Sequence, residues 1–155
     1  MKLIFLVSVI PTSLFAALPV ADRQCPLESD CIQNLCTDFD YSIESTGRKG
    51  FMIEARCKNA AGALVFSRLN LKKCIANSNG LLRWGPDGDF RCSHCRLYET
   101  APGDYIGLQC DFCPTGNNFW SAGKWSWLNL SRGIWVSKNG ALSCYSHEGD
   151  YQVFS

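Results

Sequence analysis

The chain is short of one-signed charge, of histidine and of long apolar runs, and each shortage closes off a class of function. Fifteen lysines and arginines face fourteen aspartates and glutamates, and no basic run exceeds two residues. Without a basic patch there is no electrostatic footprint for nucleic acid. The only histidines are His94 and His147, and neither has neighbours at a spacing that declares acid–base catalysis or metal ligation. Glu44, Glu54, Glu99 and Glu148 show no paired arrangement of the glycosidase kind. No catalytic residue, metal site or cofactor is therefore expected. Past the first residues no apolar stretch approaches the ~20 residues a bilayer span needs, so membrane insertion is not expected either.

One apolar run opens the chain. "MKLIFLVSVIPTSLFAA" has an early lysine, an apolar core from Leu3 to Val9, and small residues at Ala16 and Ala17. This is the outline of a signal peptide over residues 1–17, and it points to a secreted, extracellular protein.

That destination decides how the ten cysteines are read: Cys25, Cys31, Cys36, Cys57, Cys74, Cys92, Cys95, Cys110, Cys113 and Cys144. The segment "CSHCRLYETAPGDYIGLQCDFC" holds two C-x-x-C pairs, just short of the about 15–20 residue separation of a zinc ribbon. In an oxidising compartment disulfides are the default and zinc is the alternative. "DYIGLQC" alternates like a strand, and with "CRLY" before it forms a hairpin pattern. Opposed residues of an antiparallel pair have a constant index sum, and nested Cys92–Cys113 and Cys95–Cys110 bridges both satisfy it. Two C-x-x-C pairs also allow other connectivities. His94, between two of these cysteines, is expected to face solvent.

The chain also repeats itself. "FMIEARC" leads to "SRLNLKKCIANSNGLLRW", and "DYIGLQC" leads to "SWLNLSRGIWVSKNGALSCY". Each half gives a strand ending in cysteine, a second strand, "LNL", a short turn, and Asn-Gly before another strand. Asn79-Gly80 and Asn139-Gly140 are two-residue hairpin signals of type I′. Two small β units of this kind are expected to share one core reinforced by disulfides.

"LNLKKCIANSNGLLRW", "GDFRCSHCRL", "GLQCDFC", the second "LNL" and "NGALSC" together resemble the cyanovirin-N homology domain, over about residues 31–145. The resemblance implies an all-β, pseudo-symmetric, two-lobed fold built from two repeats, each lobe a three-stranded sheet with a hairpin and 3₁₀ turns. It implies a division into a leader (1–17), an N-terminal extension (18–35) and a single domain (36–155), with repeat one at about 36–91 and repeat two at about 92–145. Cys36, rather than Cys31, is the favoured partner of Cys57. The activity implied is non-catalytic lectin binding of mannose-containing oligosaccharides, the partners being mannose-type glycans or glycoproteins, with one sugar site per lobe.

Carried over residue by residue, the first site comprises Asn77, Asn79, Asp87, Asp89, Arg91, Asp111 and Thr115. Carboxylates beside amide and guanidinium donors suit hydroxyls that both donate and accept. The second comprises Lys58, Asn59, Lys138 and Asn139, and it departs from the family because "IWVSKNG" is one residue longer than "IANSNG". Asn129-Leu130-Ser131 is an N-glycosylation sequon. "WGPDG" lies where the family has a hinge, which implies a monomer with a domain-swapped dimer as minor species. Of the tryptophans, Trp84 and Trp125 are assigned to the core and Trp127 to the surface, with Trp120 and Trp135 undecided. The alternative function is a secreted, disulfide-rich, effector-like interaction protein on the same fold without sugar binding, using Trp127 and Trp135.

Overall fold

The computed structural model describes residues 23–27, 31–43, 51–99, 101, 103–116 and 122–154. The leader 1–17 and Trp120 lie outside the described residues. A five-residue helix, α1 (Cys31–Leu35), precedes β1 (Cys36–Ile43), β2 (Phe51–Lys58) and β3 (Leu64–Asn70). A 3₁₀ turn (Leu71–Lys73) then leads to the hairpin of β4 (Ile75–Ser78) and β5 (Leu81–Trp84). The second half repeats this with β6 (Ser93–Glu99), β7 (Ile106–Pro114), β8 (Gly123–Asn129), a 3₁₀ turn (Leu130–Arg132), β9 (Trp135–Val136) and β10 (Leu142–Cys144). Two further strands, β11 (His147–Glu148) and β12 (Asp150–Val153), follow.

The sheets are β1-β2-β3-β12, β6-β7-β8, β4-β5 and β11-β10-β9, all antiparallel. Strand alternation explains which faces are buried. Ile53, Ala55 and Cys57 of β2 and Ile106, Leu108 and Cys110 of β7 point inward, and they meet Leu71, Ile75, Leu82, Leu130, Ile134 and Leu142 in one core. β12 covers the edge of β3, which removes an unpaired row of backbone donors and acceptors.

Each hairpin packs on the sheet of the other repeat. The Leu82 N–H donates to Ser126 Oγ at 2.9 Å, and the Leu142 N–H donates to Ser67 Oγ at 2.9 Å. The two "LNL" asparagines are equivalent as well. Asn70 Oδ1 accepts from Lys72 N at 3.0 Å and Asn129 Oδ1 from Ser131 N at 2.9 Å, so each caps its 3₁₀ turn. A lobe is thus one repeat's three strands closed by the other repeat's hairpin, and in the first lobe β12 extends the expected three-stranded sheet to four.

All ten cysteines are paired: Cys25–Cys31, Cys36–Cys57, Cys74–Cys144, Cys92–Cys113 and Cys95–Cys110. Zinc takes thiolates, and sulfurs joined in pairs offer none, so the zinc alternative falls. Cys95 lies opposite Cys110 in the β6–β7 register, as the constant index sum requires. Cys36 lies opposite Cys57 in β1–β2.

Two expectations are corrected. Trp125 is 55% exposed and not in the core, because its side of β8 is the outer face while Ser126 faces inward. Asn139-Gly140 is not a type I′ turn: only Gly140 (φ 87°) has positive φ there, whereas Asn79 (52°) and Gly80 (85°) both do. The additional residue in repeat two gives a longer loop, with Gly140 N bonded to Ser137 O and Ser137 N to Ala141 O, both at 2.9 Å. This is a four-residue turn closed by a left-handed glycine. Trp127 is 44% exposed as expected, Trp84 is half-buried against the core, and Trp135 is buried at 4% exposure. His94 is exposed on β6.

Candidate functional site

The β4–β5 hairpin carries Asn77 and Asn79. Asn77 uses both ends of its amide: Nδ2 donates to Pro114 O at 2.8 Å and Oδ1 accepts from Gly80 N at 2.9 Å. Its own N–H donates to Asp89 O at 3.0 Å, which pins the 85–91 loop beside the turn. There the Asp89 carboxylate pairs with Arg91 Nε at 2.7 Å. Gly80 leaves no room for a side chain, since an added Cβ would lie 2.8 Å from Thr115 Cγ2. Thr115 Oγ1 in turn donates to Ala122 O at 2.8 Å. Asn77, Asn79, Asp89, Arg91 and Thr115 therefore gather around a hairpin fixed by its neighbours. Asn79 is exposed at the tip with no side-chain hydrogen bond among the described residues.

Asp87 and Asp111 are engaged elsewhere. Asp87 accepts from Lys73 Nζ at 2.9 Å and lies 3.6 Å from His147 Nε2. The Lys73 hydrogen bond, with charge from Lys73 and His147, holds its carboxyl below the usual carboxylate range. Asp111 pairs with Arg96 at 3.1 Å, across the outer face of the β6–β7 hairpin.

The residues assigned to the second site also come together. Ala60 N donates to Lys138 O at 2.9 Å, and Gln24 Nε2 bridges Lys58 O and Ser137 O at 2.8 Å each. Asn59 Oδ1 is used locally, accepting from Ala61 N and Ala63 N. The N-terminal segment is thus laid across this junction, with the Arg23 guanidinium 5.1 Å from the Trp135 ring centroid.

At the same turn a cleft of about 250 Å³ opens, lined by Trp135, Ser137, Lys138, Asn139 and the segment 145–148. That segment was not singled out from sequence. The signal available was positional: Trp84 and Cys144 occupy equivalent places, so "YSHEG" follows the second hairpin as "GPDGD" follows the first.

The family description "CVNH domain" matches residues 33–144. A cyanovirin-N homolog of Tuber borchii is 50% identical over 36 residues, covering 23% of this chain and 35% of that protein. Among solved structures, the CVNH protein of Gibberella zeae superposes with a TM-score of 0.57 at 22% identity, covering 75% of this chain and 98% of that one. Microvirin in its mannobiose complex gives 0.54 at 20% identity, covering 74% and 98%. Similarity at this identity speaks to fold, and it is the fold described above. With the family match spanning most of the described residues and both repeats, the chain belongs to the CVNH domain family.

Proposed function

We propose that the protein is a secreted lectin for mannose-containing oligosaccharides, whose principal site is the end of the β4–β5 hairpin. The observation that carries this reading is the grouping of Asn79, Asp89, Arg91 and Thr115 around a turn that Asn77 ties to Pro114 and Asp89. Amide, carboxylate, guanidinium and hydroxyl groups supply donors and acceptors together, on backbone that is already rigid before ligand arrives. Membership of the CVNH family and the mannobiose bound by microvirin favour mannose as the sugar. Five disulfides and the leader-like residues 1–17 favour an extracellular site of action.

A glycan array on the oxidised protein, followed by calorimetric titration of wild type and Asp89→Ala, tests this. Oligomannose binding that weakens at least tenfold in Asp89→Ala supports it. A blank array sinks the lectin reading, and unchanged affinity in the variant sinks the assigned site.

One observation favours the alternative of a protein-binding role. Trp125 and Trp127 both lie exposed on the outer face of β8, with Trp127 6.3 Å from the Tyr105 ring. Exposed tryptophans of this kind anchor protein interfaces. Trp135 is removed from that reading by its burial. Pull-down of a protein partner that is lost in Trp127→Ala, with glycan binding absent, would establish the alternative.

A further inference from the structure

We infer that the outer face of the β6-β7-β8 sheet is a docking surface for the chain's own N-glycan, in which a sugar attached to Asn129 lies over the rings of Trp127, Tyr105 and Tyr98. The inference does not rest on the lectin reading, and the surface is separate from both hairpins. The β4–β5 hairpin packs on the inner face of this sheet, where the Leu82 N–H meets Ser126, and the second hairpin packs on the other sheet through Ser67. Trp125 and Trp127 project from the opposite, outer face. Alternation along β8 puts Asn129 on the side of Trp127, one outward position further on, and such positions are about 6.5 Å apart. Across the sheet Asn129 is paired with Gly107, and Gly107 with Tyr98. Gly107 has no side chain, and the Tyr98 ring lies across it where a Cβ would stand. Tyr105 joins the rings, its centroid 6.4 Å from that of Tyr98, edge-on, and 6.3 Å from that of Trp127, stacked. Asn129 is thus bordered by aromatic rings both along its strand and across it.

The asparagine is held ready for attachment. Its Oδ1 accepts from Ser131 N at 2.9 Å, and its Nδ2 has no hydrogen-bond partner among the described residues. In the secretory pathway Nδ2 loses a proton and bonds to the anomeric carbon of N-acetylglucosamine, as the polyisoprenol diphosphate that carried the oligosaccharide leaves. The first sugar then stands within about one ring's length of Trp127, whose indole face can take the C–H face of the pyranose. Gln109 lies opposite Trp127 in the sheet and Arg96 opposite Gln109. Asp111 accepts from Arg96 at 3.1 Å and from Gln109 at 3.3 Å, so amide, guanidinium and carboxylate stand together beside the indole. They offer donors and acceptors to hydroxyls and to the acetamide. Arg96 and Asp111 neutralise each other, which fits an uncharged sugar. The covalent tether decides between this occupant and a separate protein. A sugar fixed beside the rings meets them at high effective concentration and needs little affinity of its own, whereas a protein partner must displace it.

The test compares wild type secreted by yeast, which attaches N-glycans, with the same sequence from the bacterial periplasm, which is oxidising and here attaches none. A third sample is the yeast product trimmed by endoglycosidase to one N-acetylglucosamine. Expected in the glycosylated form are a mass increment at Asn129, a higher urea midpoint and weaker acrylamide quenching of tryptophan emission. Both differences should survive trimming, and both should vanish when Trp127→Ala is prepared from the two hosts. The inference is overturned if Asn129 carries no sugar in yeast, or if the two forms share one midpoint or one quenching constant. A difference that disappears on trimming, or that Trp127→Ala keeps in full, overturns it as well. So does a protein partner that the glycosylated form captures through Trp127. Neither readout uses added sugar, so the result is independent of whether the first hairpin binds mannose.

Discussion

Gly133 lies against the indole of Trp84 at the position in one lobe where Cys74 is joined to Cys144 in the other. Counting from the capping asparagines, Gly133 is the counterpart of Cys74. Trp84 and Cys144 both end the second strand of a hairpin. The same geometric demand, holding the end of a hairpin to the end of a 3₁₀ turn, is met by an aromatic contact in one lobe and a covalent bond in the other.

That bond closes a loop with a sequence separation of 70, so removing it with Cys74→Ala/Cys144→Ala is expected to lower stability by about 4 kcal/mol in the chain-entropy account. Because Cys74 and Cys144 belong to different repeats, the bridge also resists exchange of hairpins between molecules. We expect wild type to be mainly monomeric in light scattering at micromolar concentration, and the double variant to show more dimer. A non-reducing gel in which any wild-type dimer is not covalent would contradict this role for the bridge.

Ser126 and Ser67 serve the same purpose from opposite sheets. Ser126→Ala leaves the buried Leu82 N–H without an acceptor and is expected to cost about 1–3 kcal/mol in urea denaturation. Ser67→Ala should cost more, since its hydroxyl also donates to Asp150 O at 3.2 Å. Changes within experimental scatter at both sites would show that the hairpins do not depend on these hydroxyls.

The Asp87 carboxyl is held below its ordinary range in the folded state. Its contribution to stability is therefore present above the unfolded value near 3.8 and lost as pH falls through the folded value. Asp87→Asn should flatten the acid limb of a stability-versus-pH curve. The group is exposed, so added salt should flatten it too. An acid limb identical in wild type and variant would remove the Lys73–Asp87–His147 latch from consideration.

Burial and a hydrogen bond with Tyr105 push the Tyr98 hydroxyl up to about 12. Folding then holds the proton more tightly than the unfolded chain does, and stability declines as pH rises from 10 towards 12. Ultraviolet titration should show a late-ionising tyrosine that moves to lower pH in Tyr105→Phe. Burial pushes Tyr41 up as well, so the Tyr105→Phe difference, not the raw curve, identifies Tyr98.

Asn129 caps its turn through Oδ1, while glycosylation modifies Nδ2. A glycan at the sequon is thus compatible with the cap. Intact mass after expression in a glycosylating secretory host should show a sugar increment that Asn129→Gln abolishes. No increment in wild type would mean the sequon is not used.

The legible part of the structure was local or periodic. Alternation in "DYIGLQC" marked a strand, and the repeat placed two "LNL" segments and two hairpins at equivalent positions. What eluded the sequence depended on small displacements. One added residue in "IWVSKNG" changed the turn type at Asn139. The sidedness of β8 put Trp125 outside, a choice that period-two patterning cannot make when one face carries serine and the other tryptophan.

The sequence by itself determined the β architecture and the family, because these follow from periodicity and the order of short motifs along the chain. Only the tertiary structure decided that each hairpin closes the opposite repeat's sheet, that Asp87 leaves the first hairpin to join His147, and that residues 145–148 wall a cleft. Those outcomes depend on contacts between segments far apart in the chain. There, packing and hydrogen-bond satisfaction across the whole core, rather than local preference, select the arrangement.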